Sequence, residues 1–408
     1  MPTLLNINNY HYRRGGADVM FFEQSRLFEK LGWQVVPFSM HHPKNDFSKW
    51  SGYFVDEIEF GFDYSPWQKA VRVARVIYSC QAQKQLRRLL DEVKIDIAHV
   101  HNVYHHISPA ILGMLKSRAI PVVLTTHDLK LACPAYQMIT HDGVCERCKG
   151  GKLRYVLWNK CLKGSTSLSA VVYVESTVHR VLKSFTRNVD RFVSPSRFYI
   201  EKFGEWGFDR NSFVYIPNYI DPARFEPSGG PGRAFVYFGR LSREKGLATL
   251  LRAAAKASVP LWIIGTGPEE DSLRRLNTEL GAEVAFFGYL TGKALHDRVR
   301  SARASVLPSE WYENAPVSVL ESYALGKPCI GARIGGITEL IREGETGFLF
   351  ESGSVEDLAE VLSQVSAMPD DQLRLLGRSG RHWVEDNFSS SLYVERLLSL
   401  YRELGVST

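Results

Sequence analysis

The sequence predicts an α/β protein built from two doubly wound parallel sheets that face a central cleft. Three observations predict it. The chain has 408 residues, more than one compact domain of ordinary size holds. Short β-branched apolar runs alternate with helical stretches along its whole length, the pattern of parallel strands joined by crossover helices. Between the two halves lies NYIDPARFEPSGGPGR (218–233), rich in Pro and Gly and without periodic apolar positions, which reads as a linker.

In the first half, TLLNINN (3–9) reads as a strand, followed by a glycine turn and a helix over about 18–31. QVVPFSM, IDIAHVHNV, PVVLTTHD, DRFVSPS and SFVYIPN follow as strands of the same unit, residues 1–217, which carries an insert at 129–165. After the linker, AFVYFGRL, LWIIGTG, EVAFFGYL, ASVLPS, PCIGAR and GFLF supply a second set within 234–388. The end of the chain, 389–408, holds the amphipathic stretch SSSLYVERLLSLYREL, a helix that either closes the second domain or braces the first.

Hydrophobic residues make up 45% and charged residues 23%, enough apolar material for two cores. No run of eighteen apolar residues occurs, and the first residues lack a basic segment followed by a long apolar one. A cytoplasmic protein is expected. The formal net charge of +6 suits anionic partners such as a nucleotide diphosphate, a phospholipid surface or a polyprenyl phosphate. The basic residues are dispersed and form no zinc finger, RNA-recognition repeat or basic zipper, so nucleic acid is not expected as a partner.

Ligands of doubly wound sheets bind beyond the carboxyl ends of the strands, so residues placed there deserve the chemical reading. Gly15 and Gly16 in RRGGAD let backbone approach a ligand at a helix start whose free amides favour an anion. In GRLSREKG, Arg240 stands just past a strand and Lys245 at a helix start. Two cations beside orphan amides are what a pyrophosphate needs, where a solvated basic loop is the bland alternative. Gly265 and Gly267 in GTGP repeat the strand-to-turn arrangement without the dinucleotide glycine spacing. In LPSEWYENAPVSVLE, Pro316 fits a first helical position, which leaves Glu313 on the preceding loop and Glu321 inside the helix. Carboxylates accept pairs of sugar hydroxyls, so these two suit one ligand at two points, with Asn314, Ala315 and Pro316 between them. Backbone near Gly288, Tyr289 and Leu290 is the expected base-recognition segment.

Taken together, RRGGAD, TTHD (125–128), SPS (194–196), IPNYID (216–221), GRLSREKG, GTGP and ENAPVSVLE resemble the retaining GT-B glycosyltransferases of family 4 over nearly the whole chain. The resemblance implies two Rossmann-like domains, a terminal helix that crosses back, and a nucleotide-sugar donor with a saccharide or lipid-linked acceptor. By it, Glu321 binds the ribose, Glu313 the transferred sugar, Arg240 and Lys245 the diphosphate, and Gly16 donates its amide to phosphate. His127 then stands beside the sugar, and no metal or other cofactor serves catalysis. Asn218-Tyr219 departs from the family's usual Asn-Gly. Cell-surface polysaccharide or lipopolysaccharide assembly is the expected setting; a sugar-nucleotide epimerase and a non-enzymatic sugar-nucleotide-binding module are the alternatives.

Two clusters stand outside that pattern. His99, His101, His105 and His106 fall in AHVHNVYHH with no carboxylate or cysteine beside them, so acceptor lining or plain structure is expected over a metal. Cys133, Cys145, Cys148 and Cys161 lie in the insert, with 145 and 148 forming a C-x-x-C knuckle. Four thiolates suit a structural zinc that pins a long loop, while an iron–sulfur cluster, a redox pair or free thiols stay open. Cys80 and Cys329 read as buried small hydrophobes. Basic and aromatic residues of the insert (among them Lys149, Arg154, Tyr155 and Trp158) suit peripheral contact with the cytosolic face of an inner membrane.

Overall fold

A computed structural model describes residues 1–58, 64–227 and 230–408. The first sheet contains β1 (Thr3–Ile7), β2 (Gln34–Phe38), β3 (Ile97–Val100), β4 (Val122–Thr125), β7 (Arg191–Ser194) and β8 (Phe213–Tyr215). A two-stranded hairpin, β5 (Ile139–Thr140) and β6 (Gly143–Val144), belongs to the insert. The second sheet contains β9 (Phe235–Phe238), β10 (Leu261–Ile264), β11 (Val284–Phe286), β12 (Ser305–Leu307), β13 (Cys329–Ala332) and β14 (Gly347–Phe350). Strand orders are β2-β1-β3-β4-β7-β8 and β11-β10-β9-β12-β13-β14, every neighbour parallel. Order reverses between β1 and β3 in the first sheet and between β9 and β12 in the second. A ligand finds its crevice at those two points.

Each strand read from the sequence is present, because buried parallel strands leave short continuous apolar runs. The side-chain alternation also sorts the two faces of the first sheet. Leu5, Ala98, Val100, Val122 and Leu124 enter the core on one side. Leu4, Ile97, Val123 and Val193 enter a second core on the other.

That second core is closed by the helix Ser390–Glu403, which leaves the second domain and packs on the first. Tyr393, Leu397, Leu400 and Tyr401 are buried on it, the i, i+4, i+7, i+8 stripe of one helical face. Each such side chain contributes about 1.5–3 kcal/mol by leaving water. The helix therefore crosses back. Its departure point is tied to the other interdomain crossing, since the Ile220 amide donates to the Phe388 carbonyl at 2.9 Å.

Tyr219, where the family pattern has glycine, has a packing reason. Its ring lies 4.6 Å from that of Tyr393 and fills the core between the crossing helix and the first sheet. The neighbouring Asn218 Nδ2 donates to the Ala315 carbonyl at 2.8 Å and joins the first domain to the second. Among the described residues no helix is long and apolar enough to cross a membrane.

Candidate active site

The second sheet's switch point builds the charged part of the site. After β9 the chain makes a tight turn over Arg243–Lys245 and reaches Gly246 at φ +66°, where the helix Leu247–Ala257 begins. Lys245 thus precedes the helix rather than opening it. Gly246 is required there twice over: its left-handed φ strains other residues, and a Cβ would lie 1.9 Å from the Pro308 carbonyl oxygen. That close approach sets the turn against the loop after β12 and brings Lys245 to Glu313.

Lys245 Nζ donates to Glu313 Oε1 at 2.6 Å, and Ser309 Oγ donates to the same oxygen at 2.7 Å. Glu313 is buried, with 7% of its side chain exposed against 20% for Lys245. Burial pushes the carboxyl up, but the Lys245 ammonium, with the hydrogen bonds from Lys245 and Ser309, outweighs it and holds the group below its ordinary value. The two residues assigned separately from sequence therefore form one preorganised pair. Sequence spacing did not reveal this, because 68 residues separate them.

Arg240 stands just past β9 with its side chain exposed. It acts electrostatically on Tyr136 of the first domain, as do Asp128, Glu244 and Arg14 of the glycine loop, so four charges from both domains, two of each sign, converge on one place. Gly15 caps the helix Gly16–Lys30, and a Cβ on Gly15 or Gly16 would meet no protein atom within 4 Å. The missing side chains leave open space before a helix start, the condition for an anion to reach its amides.

Gly265 and Gly267 answer to packing instead. A Cβ on them would lie 1.9 Å from the Gly239 carbonyl oxygen and 2.2 Å from that of Leu241. They let the loop after β10 pack on the loop carrying Arg240. Pro316 is also displaced from its expected place. It is the N-cap of the helix Val317–Ala324, with ψ 118°, because the chain is still extended there. Tyr289 is 74% exposed and lies at the surface.

Glu321 sits within that helix on the wall of an interdomain cleft of about 650 Å³. Val19 and Glu23 of the first domain, Tyr219 and Arg224 of the linker and His296 of the second also line the cleft. Burial alone pushes the Glu321 carboxyl up to about 7. The carboxylate is half-buried on the cleft wall, an acceptor turned toward the cleft.

The Asn314 side chain is engaged between the two domains. Its Nδ2 donates to the Thr126 carbonyl at 2.8 Å and its Oδ1 accepts from Ser196 Oγ at 2.8 Å, so it clamps the two domains. A further clamp escaped the sequence reading: the Glu339 carboxylate accepts the Arg197 amide at 2.8 Å, at the start of the helix Arg197–Glu205. Ala315 is buried between these contacts. The only sequence signal for the clamps was the position of SPS and ENA just after strands.

His127, just after β4, stacks on His101 with ring centroids 5.0 Å apart, and their facing nitrogens lie 2.7 Å apart. His101 stacks in turn on His99 at 5.0 Å. His99 Nδ1 reaches Tyr401 Oη at 2.6 Å and its Nε2 reaches Thr125 Oγ1 at 2.7 Å. Burial pulls His127 down to about 4 and His99 to about 3, so both imidazoles are neutral at physiological pH. Three of the histidines thus form a column from the cleft to the crossing helix and no metal site. Beside them, burial raises Asp128 to about 6.

In the insert, the four thiols are near enough to act on one another. Burial, followed by the charges of the other three, pushes Cys148 up to about 12. Burial and the neighbouring Cys133 and Cys145 push Cys161 up to about 11. Among the described residues, no group of three or more His, Cys, Asp or Glu stands in positions that hold a metal ion. Cys329 is buried as expected, whereas Cys80 is exposed at the first turn of the helix Cys80–Glu92.

Two family models together span most of the chain. "Glycosyl transferases group 1" matches residues 224–383, and "Glycosyltransferase Family 4" matches residues 14–224. The chain belongs to glycosyltransferase family 4. A lipopolysaccharide core biosynthesis glycosyltransferase of Rhizobium meliloti is 30% identical over 53% of the chain and 65% of its own length. A D-inositol 3-phosphate glycosyltransferase of Rhodococcus erythropolis is 33% identical over 47% and 46%. The matched stretch is thus under two thirds of each of these curated relatives.

Solved structures share the whole fold. A sucrose-phosphate synthase from Thermosynechococcus elongatus superposes with a TM-score of 0.72 at 19% identity, covering 100% of both chains. The Anabaena protein HepE, crystallised with UDP and glucose, gives 0.69 at 17%, covering 99% of this chain and 100% of its own. The family 4 chain therefore has the two-domain GT-B architecture. Its Lys245–Glu313 pair, Arg240 and glycine loop occupy the carboxyl ends of strands at the two switch points.

Proposed function

We propose that this chain is a retaining glycosyltransferase that moves a hexosyl group from a UDP- or GDP-sugar to a saccharide or lipid-linked saccharide during cell-surface polysaccharide or lipopolysaccharide assembly. The observation that carries the reading is the buried Lys245–Glu313 pair at the second switch point, with exposed Arg240 beside it and neutral His127 across the cleft. In this reading Arg240 and the remaining Lys245 protons neutralise the leaving diphosphate, and the amides at Gly15 and Gly16 assist. Glu313 and Glu321 accept hydroxyls of the transferred sugar and of the ribose.

The acceptor oxygen forms its bond to the anomeric carbon on the face the diphosphate leaves. The acceptor proton passes to the departing phosphate oxygen, so no protein base is needed. Neutral His127 donates or accepts a hydrogen bond beside the sugar and holds no charge against the developing oxocarbenium ion. Fixed cations take the part of a divalent ion, so turnover without bound metal belongs to this proposal.

A structural zinc on Cys133, Cys145, Cys148 and Cys161 is proposed for the insert. Its support is the neighbourhood of four soft donors in a segment of short elements. Binding would draw the sulfurs into a tetrahedron and release their protons. A cytosolic location, with the insert against the inner membrane, is proposed on the exposure of Trp158 beside Arg154.

Donor turnover decides among the readings. A transferase consumes UDP- or GDP-sugar at speed only with acceptor present, an epimerase converts it alone, and a binding module does neither. A panel of sugar nucleotides screened for thermal stabilisation identifies the donor first. Acceptor-independent interconversion of the donor would overturn the proposal.

A further inference from the structure

A second cationic concavity lies on the far side of the C-terminal domain. Arg303 and Lys327 stand just before β12 and β13, at the amino ends of the strands, whereas Lys245 and Glu313 serve the carboxyl ends. With Arg374, Arg378, Arg381 and His382 they line a pocket of about 300 Å³, and no Asp or Glu lines it among the described residues.

Three of these cations have structural tasks. Arg303 donates to the Val365 and Met368 carbonyls, with Asp370 at 3.5 Å. Arg381 pairs with Glu385 and donates to the Phe225 carbonyl at 3.0 Å. Lys327 is 2% exposed and donates to the Gly230 and Ala302 carbonyls at 2.9 and 2.6 Å, so its charge faces dipoles rather than a carboxylate. Burial accordingly pulls its ammonium down to about 8.

Arg374 and Arg378 have no such task. They are exposed on successive turns of the helix Asp370–Asn387, on the face that also carries Arg381 and His382. Among the described residues no ion pair takes up either charge. Like charges one turn apart destabilise a helix, and a concave surface concentrates their potential. Planar guanidinium forks converging with a buried ammonium match the oxygens of a phosphate group.

We propose that this pocket binds a small phosphorylated anion, a phosphate monoester or pyrophosphate, at a site separate from the donor cleft. The ligand sits between Arg374 and Arg378 on one side and the linker on the other, because Lys327 and Arg381 hold linker carbonyls. It therefore joins the linker to the helix that leads into the second interdomain crossing.

The test uses the full chain with the donor cleft saturated by UDP and titrates inorganic pyrophosphate by calorimetry. Wild type should bind it, and Arg374→Ala with Arg378→Ala should weaken that binding by about tenfold or more, the loss of at least one charge-assisted bond. UDP affinity should not move and the melting temperature should not fall, since both residues are exposed and their mutual repulsion is removed. Equal pyrophosphate affinity in the double variant, or none in wild type, would overturn the site. So would a response to phosphatidylglycerol vesicles alone, which would mark a lipid surface. A chain that binds neither UDP nor GDP counts against the donor reading only, because the arginine-dependent difference is read with or without a nucleotide.

Discussion

Removing the Lys245 side chain tests the electrostatic design of the site. Lys245→Ala leaves a carboxylate with 7% exposure beside neutral donors only, the Ser309 hydroxyl and the Trp311 indole. Breaking a buried ion pair by deleting one partner costs about 3–5 kcal/mol. The partial exposure of Lys245 places the expected loss near the lower end, about 3 kcal/mol at pH 8. In wild type the Glu313 carboxyl lies below its ordinary value. Its stabilisation is complete above the unfolded value, about 4.3, and is lost as pH falls through the folded one.

In the variant the cation is gone and burial dominates, so the carboxyl rises and the folded state favours its protonated form. The stability gap between variant and wild type should therefore narrow as pH falls from 8 to 5. Chemical denaturation at the two pH values measures it. Lys245→Ala with Glu313→Gln should recover much of the stability at pH 8 while transfer stays slow, which separates the fold's need for the pair from the donor's. A single variant as stable as wild type, or a gap that widens toward acid, would refute the reasoning.

Other outcomes follow from the same geometry. Arg240→Ala should slow transfer by about 10²–10³-fold with an unchanged melting temperature, because this exposed cation serves the diphosphate and not the core. Glu321→Gln should stabilise the ligand-free protein more at pH 8 than at pH 5. Burial raises this carboxyl to about 7, so ionisation destabilises the wild-type fold as pH rises from the unfolded value through 7. Donor affinity should fall in the same variant, as measured by calorimetry. Turnover should persist in EDTA, and activity restored only by magnesium or manganese would contradict the assignment to fixed cations. Elemental analysis should find one zinc per chain, lost in Cys145→Ser with Cys148→Ser, and four freely titrating thiols in a metal-free active protein would end that proposal.

Strands and the terminal helix were legible because their signals are local, whereas the crossing of that helix to the first domain came from the family resemblance and not from its own residues. A buried parallel strand is a short apolar run, and the crossing helix carries its stripe within sixteen residues. The residues after the strands were legible as a set for the same topological reason. What the sequence hid was pairing across distance. Lys245 and Glu313 looked like two ligand contacts, yet they meet because a left-handed glycine lets one loop touch another. Asn314 looked like a donor contact and is a clamp, since only the other domain supplies its partners. Gly265 and Gly267 looked like ligand-facing glycines, but their need for space comes from neighbouring backbone. Cys80 looked buried because cysteine behaves as a small hydrophobe, but it occupies the first, exposed turn of its helix.

The histidine column shows why the terminal helix belongs to the site and not merely to the core. Tyr401 reaches His99 and also accepts from Gln24 Nε2 at 3.2 Å, so one hydroxyl from the last helix orders two buried polar groups of the first domain, one on β3 and one on the helix Gly16–Lys30. His99 stacks on His101, and His101 on His127, which meets the cleft. Each imidazole is held neutral by burial, and in each pair the position of one ring limits the next. Detaching the helix would expose the apolar face of the first sheet and remove the Tyr401 hydroxyl from His99, leaving Gln24 and Thr125 to hold it. The orientation of His127 thus depends on residues 274 positions away, through contacts that exist only when the second domain has reached back across the first.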